Sequence, residues 1–386
     1  MKAGWRITAL LATLSLTGGS LAGFYLSKLE VPQQASSTEE KQELQTDEFS
    51  IRLFQQALTE KKGNILIAPR NIIDGLLALH EISGGKTLAE LNTLNLPGEG
   101  CVRSSEPARA ALLAMDYNVA RGAKAKAAMP LPISDNVPMA LSLINGMMAP
   151  ATGSTSTQMV DSLMLTSRTK LIAATATHLK KEWETPFNTA DTRVADFDSA
   201  SGGMPHFAQM RARGNFRTAQ AADGSWKAVA LPFKAENNNS LPLVFIGILP
   251  AGSARDFGSH ISAEQITEIR KALAAAQPED TLVELPRLEL RVMPYDQRDT
   301  LRRMGLKALF DTATADFSAL TPDKIHLGAF VHSLSVSLTE NSGTSQANAD
   351  LDYAGKCISF TRPYIWLITD LATSNPLDFM GLIEDM

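Results

Sequence analysis

The sequence predicts a single α+β domain, and three observations lead there. Helical and strand-like segments follow one another in irregular order, without the βαβ alternation of a doubly wound sheet. The body, residues 48–386, contains no linker and no fixed-period repeat. Hydrophobic residues make up 44% of the 386 and charged residues 20%, which supports a core that stands without a disulfide framework.

The elements are taken in chain order. Lys2 and Arg6 precede the apolar run Ile7–Leu16, and Ser20-Leu21-Ala22 sets small residues where a signal peptidase reads. Residues 1–26 are therefore expected to be a signal peptide. An uncleaved signal anchor stays open, because apolar residues resume at Phe24, Tyr25 and Leu26. Either reading places the body outside the cytoplasm, periplasmic or secreted, with membrane contact only if the segment is retained. Residues 27–47 are polar and are expected to be a linker. Phe49, Leu53, Phe54, Ala57 and Leu58 fall on one helical face. Gly63-Asn64 is a turn, Ile65-Leu66-Ile67 a short strand, and Ile72, Ile73, Leu76, Leu77 and Leu79 mark a second helix. Thr87-Leu88-Ala89-Glu90 reads as a capping box opening a third. The pattern weakens from Gly100 to Pro138, and a helix is expected from Met139 to Pro150. "KLIAATATHL", "KAVALPF" and "LVFIGILP" are runs of strand length, and Ser262–Ala275 is an amphipathic helix. "TLVELPRLELRV" reads as one strand with an interior proline, at an edge or a bulge. "FVHSLSVSL", "PYIWLITDL" and "PLDFMGLIED" are strand-like and close the chain.

Catalytic and cofactor chemistry finds little support. A net charge of −5 offers no basic field for nucleic acid. His80, His178, His206, His260, His326 and His332 are scattered, none at i, i+4 spacing, so no metal or other cofactor is expected. Gly85-Lys86-Thr87 resembles the tail of a phosphate loop, but His80 stands where its first glycine belongs. There is no G-x-S-x-G elbow, and the chain is expected not to be an enzyme.

"TENSGTSQANADLDYAGKCISFTRPY", from Thr339 to Tyr364, has loop composition but strand alternation. Ser345, Ala347, Ala349, Leu351 and Tyr353 share one parity, and Thr344, Gln346, Asn348, Asp350 and Asp352 the other. Composition and period thus disagree over this segment, one reading loop and the other a half-buried strand.

Several ordered signatures together resemble the serpin family, from about Phe49 to Asp385. They are "GNILIAPRNI", "GGKTLAEL", "TKLIAATATHLKKEWETPFNTADT", "ELPRLELRVMPYDQRDTLRRMGLKALFDTATADFSAL" and "FTRPYIWLITDLATSNPLDFMGLIED". Trp183, Pro186, Phe187, Thr192, Arg362-Pro363 and Phe379-Met380-Gly381 match; Asn71 and Thr175 stand where serine and asparagine are usual. The resemblance implies a large central mixed sheet with smaller sheets, surrounding helices and an exposed reactive loop. It implies a monomeric inhibitor that traps a serine protease as an acyl complex when the cut loop enters the sheet. A non-inhibitory serpin-fold binding or scaffold protein is the alternative. The implied hinge is Glu340, Gly343, Thr344, Ser345, Ala347 and Ala349, with an extra residue at Ser342 that shifts the buriable parity inward. The implied bait is Lys356, for a trypsin-like target, with Tyr353 and Cys357 as other candidates. The implied sheet-opening region is Asn71, Thr175, Trp183 and His332. Cys101 and Cys357 could pair outside the cytoplasm, though an exposed thiol at Cys357 is the favoured expectation.

Overall fold

Helix α1 (Ser37–Glu60) begins inside the stretch expected as a linker. The computed structural model describes residues 37–96, 108–123, 127–153, 158–235, 243–341, 351, 355–371 and 377–386, with backbone alone at 37–46 and 108. The signal segment 1–26 and the linker as far as residue 36 lie outside the described residues. From Ser37 the polar run gives way to helix because Glu, Gln, Lys and Leu are good helix formers. Phe49, Leu53 and Phe54 then anchor it in the core. Its end is fastened by Arg255, whose Nη1 donates to the carbonyls of Leu58 and Lys61 and whose Nη2 donates to that of Gly63.

Strand β1 (Ile65–Ile67) is followed by α2 (Pro69–Ile82), which has proline at its first position and buries Ile72, Ile73, Leu76 and Leu79. Helix α3 (Gly85–Asn92) corrects the capping-box expectation: Thr87 lies inside the helix and Gly84 is the N-cap. The Thr87 hydroxyl accepts from Asp316 N at 2.8 Å and Glu90 Oε2 from Ala308 N at 2.7 Å, so the pair holds a distant segment. Gly85 is required here: its φ is +45°, and a Cβ would stand 2.4 Å from Asp316 Oδ2.

The weakly patterned stretch holds β2 (Ala108–Asp116), α4 (Tyr117–Ala120) and β3 (Met129–Leu131). Helix α5 (Val137–Met148) starts at an Asn136 cap, near the expected position. Then come β4 (Leu171–Lys180), β5 (Arg193–Asp196), β6 (His206–Gln220), β7 (Trp226–Pro232), β8 (Val244–Pro250) and α6 (Ala254–His260). Helix α7 (Ala263–Ala275), capped by Ser262, matches its expected span. The run expected as one proline-interrupted strand is two: β9 (Glu279–Pro286) and β10 (Leu288–Asp296), which lie in different sheets. Pro286 has no N–H to extend the ladder, so the chain changes sheet there. Helix α8 (Arg298–Arg303), β11 (Leu327–Leu338), β12 (Lys356–Ser359), β13 (Tyr364–Thr369) and β14 (Phe379–Ile383) complete the described elements.

The strands form two sheets. One runs β1-β14-β13-β8-β7-β6-β9-β12, with β5 paired to β6; the other runs β10-β11-β4-β2-β3 and is mixed. The α+β class is as expected. Helix α2 contributes to a core that includes Leu113, Ala173 and Phe330 of the five-stranded sheet. Helix α5 packs with Ile172, Ala174, Ala176 and Val331, of opposite parity, so the sheet is covered on both faces. That is why β4 reads as a continuous run of small apolar residues rather than an alternation.

Candidate functional site

The five-stranded sheet has a seam. β11 pairs with β4 in parallel from Leu327↔Leu171 to Ser337↔Lys180, while β10–β11 and β2–β4 on either side are antiparallel. A strand entering the seam antiparallel to both would make each of its pairs antiparallel. Helix α2 passes close beneath: a Cβ on Gly75 would lie 2.7 Å from the Phe330 ring and 2.8 Å from Thr175 Cγ2. In the seam Thr175 Oγ1 and His332 Nδ1 share a hydrogen bond of 2.8 Å, and both residues are fully buried. Burial pushes the imidazole down to about 3 against the opposing effect of Thr175, so His332 is neutral at physiological pH. Asn71 takes a different partner, its Nδ2 donating to Ala110 O of β2. Of the four residues implied for sheet opening, Thr175 and His332 meet, Asn71 sits beneath on α2, and Trp183 stands where the loop departs.

At that departure β11 ends and three residues are fixed in turn. Trp183 Nε1 donates to Thr339 O at 2.8 Å. The Glu340 carboxylate accepts from Arg287 and from Thr192 Oγ1; although burial raises it, these donors hold it below its usual value. Asn341, 3% exposed, donates from Nδ2 to Trp183 O at 2.8 Å and accepts at Oδ1 from Trp183 N at 3.2 Å. Its amide thus satisfies both backbone groups of Trp183, as the facing residue of an antiparallel strand would. Asn341, Arg287 and Arg211 were not anticipated from sequence. Asn341 hides in a stretch of loop composition, and Arg287 beside a proline.

The hinge residues Gly343, Thr344, Ser345, Ala347 and Ala349, and Tyr353, lie outside the described residues. Leu351 is described and buried, and its carbonyl accepts from Arg211 Nη2 at 3.0 Å. Lys356 opens β12, paired in parallel with Thr281 of β9, and its Nζ donates to Glu279 and Thr218. Cys357 is a free, exposed thiol; burial and Glu284 push it up against Arg211 and Arg193, so it is a weak nucleophile. Cys101 lies outside the described residues. Among the described residues no group of three or more His, Cys, Asp or Glu is placed to hold a metal. No described helix is long and apolar enough to cross a membrane.

The five-stranded mixed sheet, with β4 and β11 parallel at its centre and the chain leaving β11 through Thr339, Glu340 and Asn341, sets the architectural class. The chain belongs to the serpin (serine protease inhibitor) family, whose model matches residues 118–386. It is 24% identical over 262 residues to Serine protease inhibitor 88Ea of Drosophila melanogaster, covering 63% of this chain and 60% of that one. It is 27% identical over 195 residues to Serpin B11 of Mus musculus, covering 50% and 47%. The chain thus spans about half to three fifths of these relatives. Uncleaved ovalbumin has the same fold, with a TM-score of 0.77 at 19% identity, covering 89% of this chain and 99% of that one.

Proposed function

We propose that this chain inhibits an extracytoplasmic serine protease by the serpin route. The protease cuts the loop after Asn341, and the freed strand enters the β4–β11 seam while the acyl bond still holds the protease. The parallel seam carries this reading. Inserted antiparallel, the loop replaces one parallel ladder with two antiparallel ones, the more stable kind per residue. Each inserted residue contributes about 0.5–1.5 kcal/mol net in ladder bonds, so about ten contribute on the order of 10 kcal/mol. The Ser345, Ala347, Ala349, Leu351, Tyr353 parity can be buried without stranding a charge.

The bait is Lys356, the only basic residue between Thr344 and Phe360, with Tyr353 and Cys357 as alternatives. Reading Lys356 requires its pair with Thr281 and its bond to Glu279 to open first. That ordered start of β12 also favours a second reading, a non-inhibitory binding protein, because only fourteen residues separate Asn341 from Lys356. One gel separates the two. Incubation with trypsin-like and chymotrypsin-like proteases should yield an SDS-resistant complex of protease and chain. Clean cleavage without a complex, and without a rise in melting temperature, leaves the binding protein.

A further inference from the structure

A network of charges is buried where α2 meets β2 and the start of β14. Arg70 Nη1 lies 3.5 Å from Asp378 Oδ1, and Arg109 Nη1 lies 3.3 Å from Asp74 Oδ2. Behind them Arg270 of α7 reaches Asp370, just after β13, at 3.6 Å and Asp47 of α1 at 3.2 Å. The charges that face Asp378 are Arg70 and Asp74 from α2, Arg109 from β2 and Asp370. Two guanidiniums, Arg70 and Arg109, and two further carboxylates, Asp74 and Asp370, thus act on Asp378 from these elements. Asp378 is 3% exposed, and its Oδ1 has no hydrogen-bond partner. An uncompensated buried charge is costly, and one proton removes it. Burial pushes Asp378 up to about 7 against the pull of Arg70 and Arg109.

We propose that Asp378 is a proton-binding site that couples pH to the grip of α2 on the β2 side of the five-stranded sheet. With the carboxyl protonated, Asp378 no longer competes for Arg70 and Arg109, and Arg109 is left to Asp74, tying β2 to α2. With it ionised, Asp378 draws on Arg70 and Arg109 as Asp74 does, and the tie slackens. Helix α2 packs under both sides of the seam, against Phe330 of β11 and Thr175 of β4. If the seam parts, one half of the sheet must slide over α2, and Arg109–Asp74 is a tie that such a slide would break. Acid tightens this grip and base loosens it.

The intact chain tests this without any loop insertion, so the protease gel and this experiment can fail separately. Side-chain carboxyl carbons of aspartate are followed by NMR across pH. One aspartate should titrate near pH 7, and Asp378→Asn should remove that signal. Asp74→Asn, which takes a like charge away, should lower its midpoint; this second variant identifies the cluster even where Asp378→Asn does not fold. Hydrogen-exchange protection factors of β2 amides should be several-fold higher at about pH 6 than at about pH 8. Wild-type aspartates that all titrate in the ordinary carboxylate range overturn the proton site. A titrating Asp378 with pH-independent β2 protection overturns the coupling.

Discussion

His332 and Asp378 are both sealed from water, one in the seam above α2 and the other beside the start of α2, yet burial moves them in opposite directions. Burial disfavours whichever form is charged. For imidazole that is the protonated form, and His332 falls to about 3. For a carboxyl it is the deprotonated form, and Asp378 rises to about 7. The seam is thus built from neutral polar groups that an entering strand can pass without separating charges. The base of α2 is built from charges that resist sliding. Under the proposed loop insertion, these two kinds of polarity stand where the sheet would have to open and where it would have to be held.

The comparison can be broken most severely at Arg70. Arg70→Ala strands Asp378 and should cost about 3–5 kcal/mol in urea unfolding at about pH 8. The loss should shrink at about pH 5, where Asp378 holds a proton. Gly75→Ala wedges α2 away from Phe330 and Thr175 and should cost about 1–3 kcal/mol, read in the same assay. Next come the pH slopes. His332 has its folded value lowered from 6.5 to about 3, so its stabilising contribution is present above 6.5 and is lost as pH falls through that window. Asp378 has its folded value raised from 3.8 to about 7, so its contribution is present below 3.8 and is lost as pH rises through 7. Each slope is about 1.4 kcal/mol per pH unit, and between them they leave the wild type nearly flat over the shared window. Relative to wild type, Asp378→Asn should lose stability on acidification and His332→Gln should gain it. Parallel profiles for the two variants would contradict the opposition. The smallest effect is at the hinge. Asn341→Ala removes two hydrogen bonds to Trp183, should cost about 1–2 kcal/mol, and should speed cleavage within residues 342–355 more than it lowers the melting temperature.

Much of this fold is legible in the sequence wherever one physical rule acts alone. β4 and β8 follow from runs of strand length, and α2 and α7 from helical period. Where two rules compete, the reading fails. Fifteen-residue β6 was missed because its apolar face is sparse: Met210, Ala212 and Phe216 are buried, but Gly214 breaks the row, and the other face carries Arg211, Arg213 and Arg217, of which Arg211 and Arg213 pair with Glu284 and Asp280 of β9. Thr87 and Glu90 have capping-box spacing, but tertiary partners claim them. At the site, Thr175 and His332 were placed through family resemblance, since nothing local links residues so far apart in the chain. Asn341 carried no signal at all: an asparagine in a polar loop is unremarkable until Trp183 is beside it. Charges converging from α1, α2, β2, α7 and the approach to β14 could not be read either, because each was indistinguishable from a surface residue until the chain closed.

The fastening of α1 has a consequence for how the chain is made. Arg255 grips the end of α1 with Nη1 and part of Nη2, and spends Nε and the rest of Nη2 on Glu384. Asn64 accepts from Glu384 N at 2.7 Å and donates to Asp385 O at 2.8 Å. β1 finds its ladder partner in β14, from Ile65↔Leu382 to Ile67↔Met380. The end of α1 and β1 therefore cannot lock until residues 380–385 have been made, some 320 residues later. Sequential, domain-by-domain folding during synthesis is closed to such a topology. Until then the apolar faces of α1 and β1 lack the partners that bury them in the finished fold.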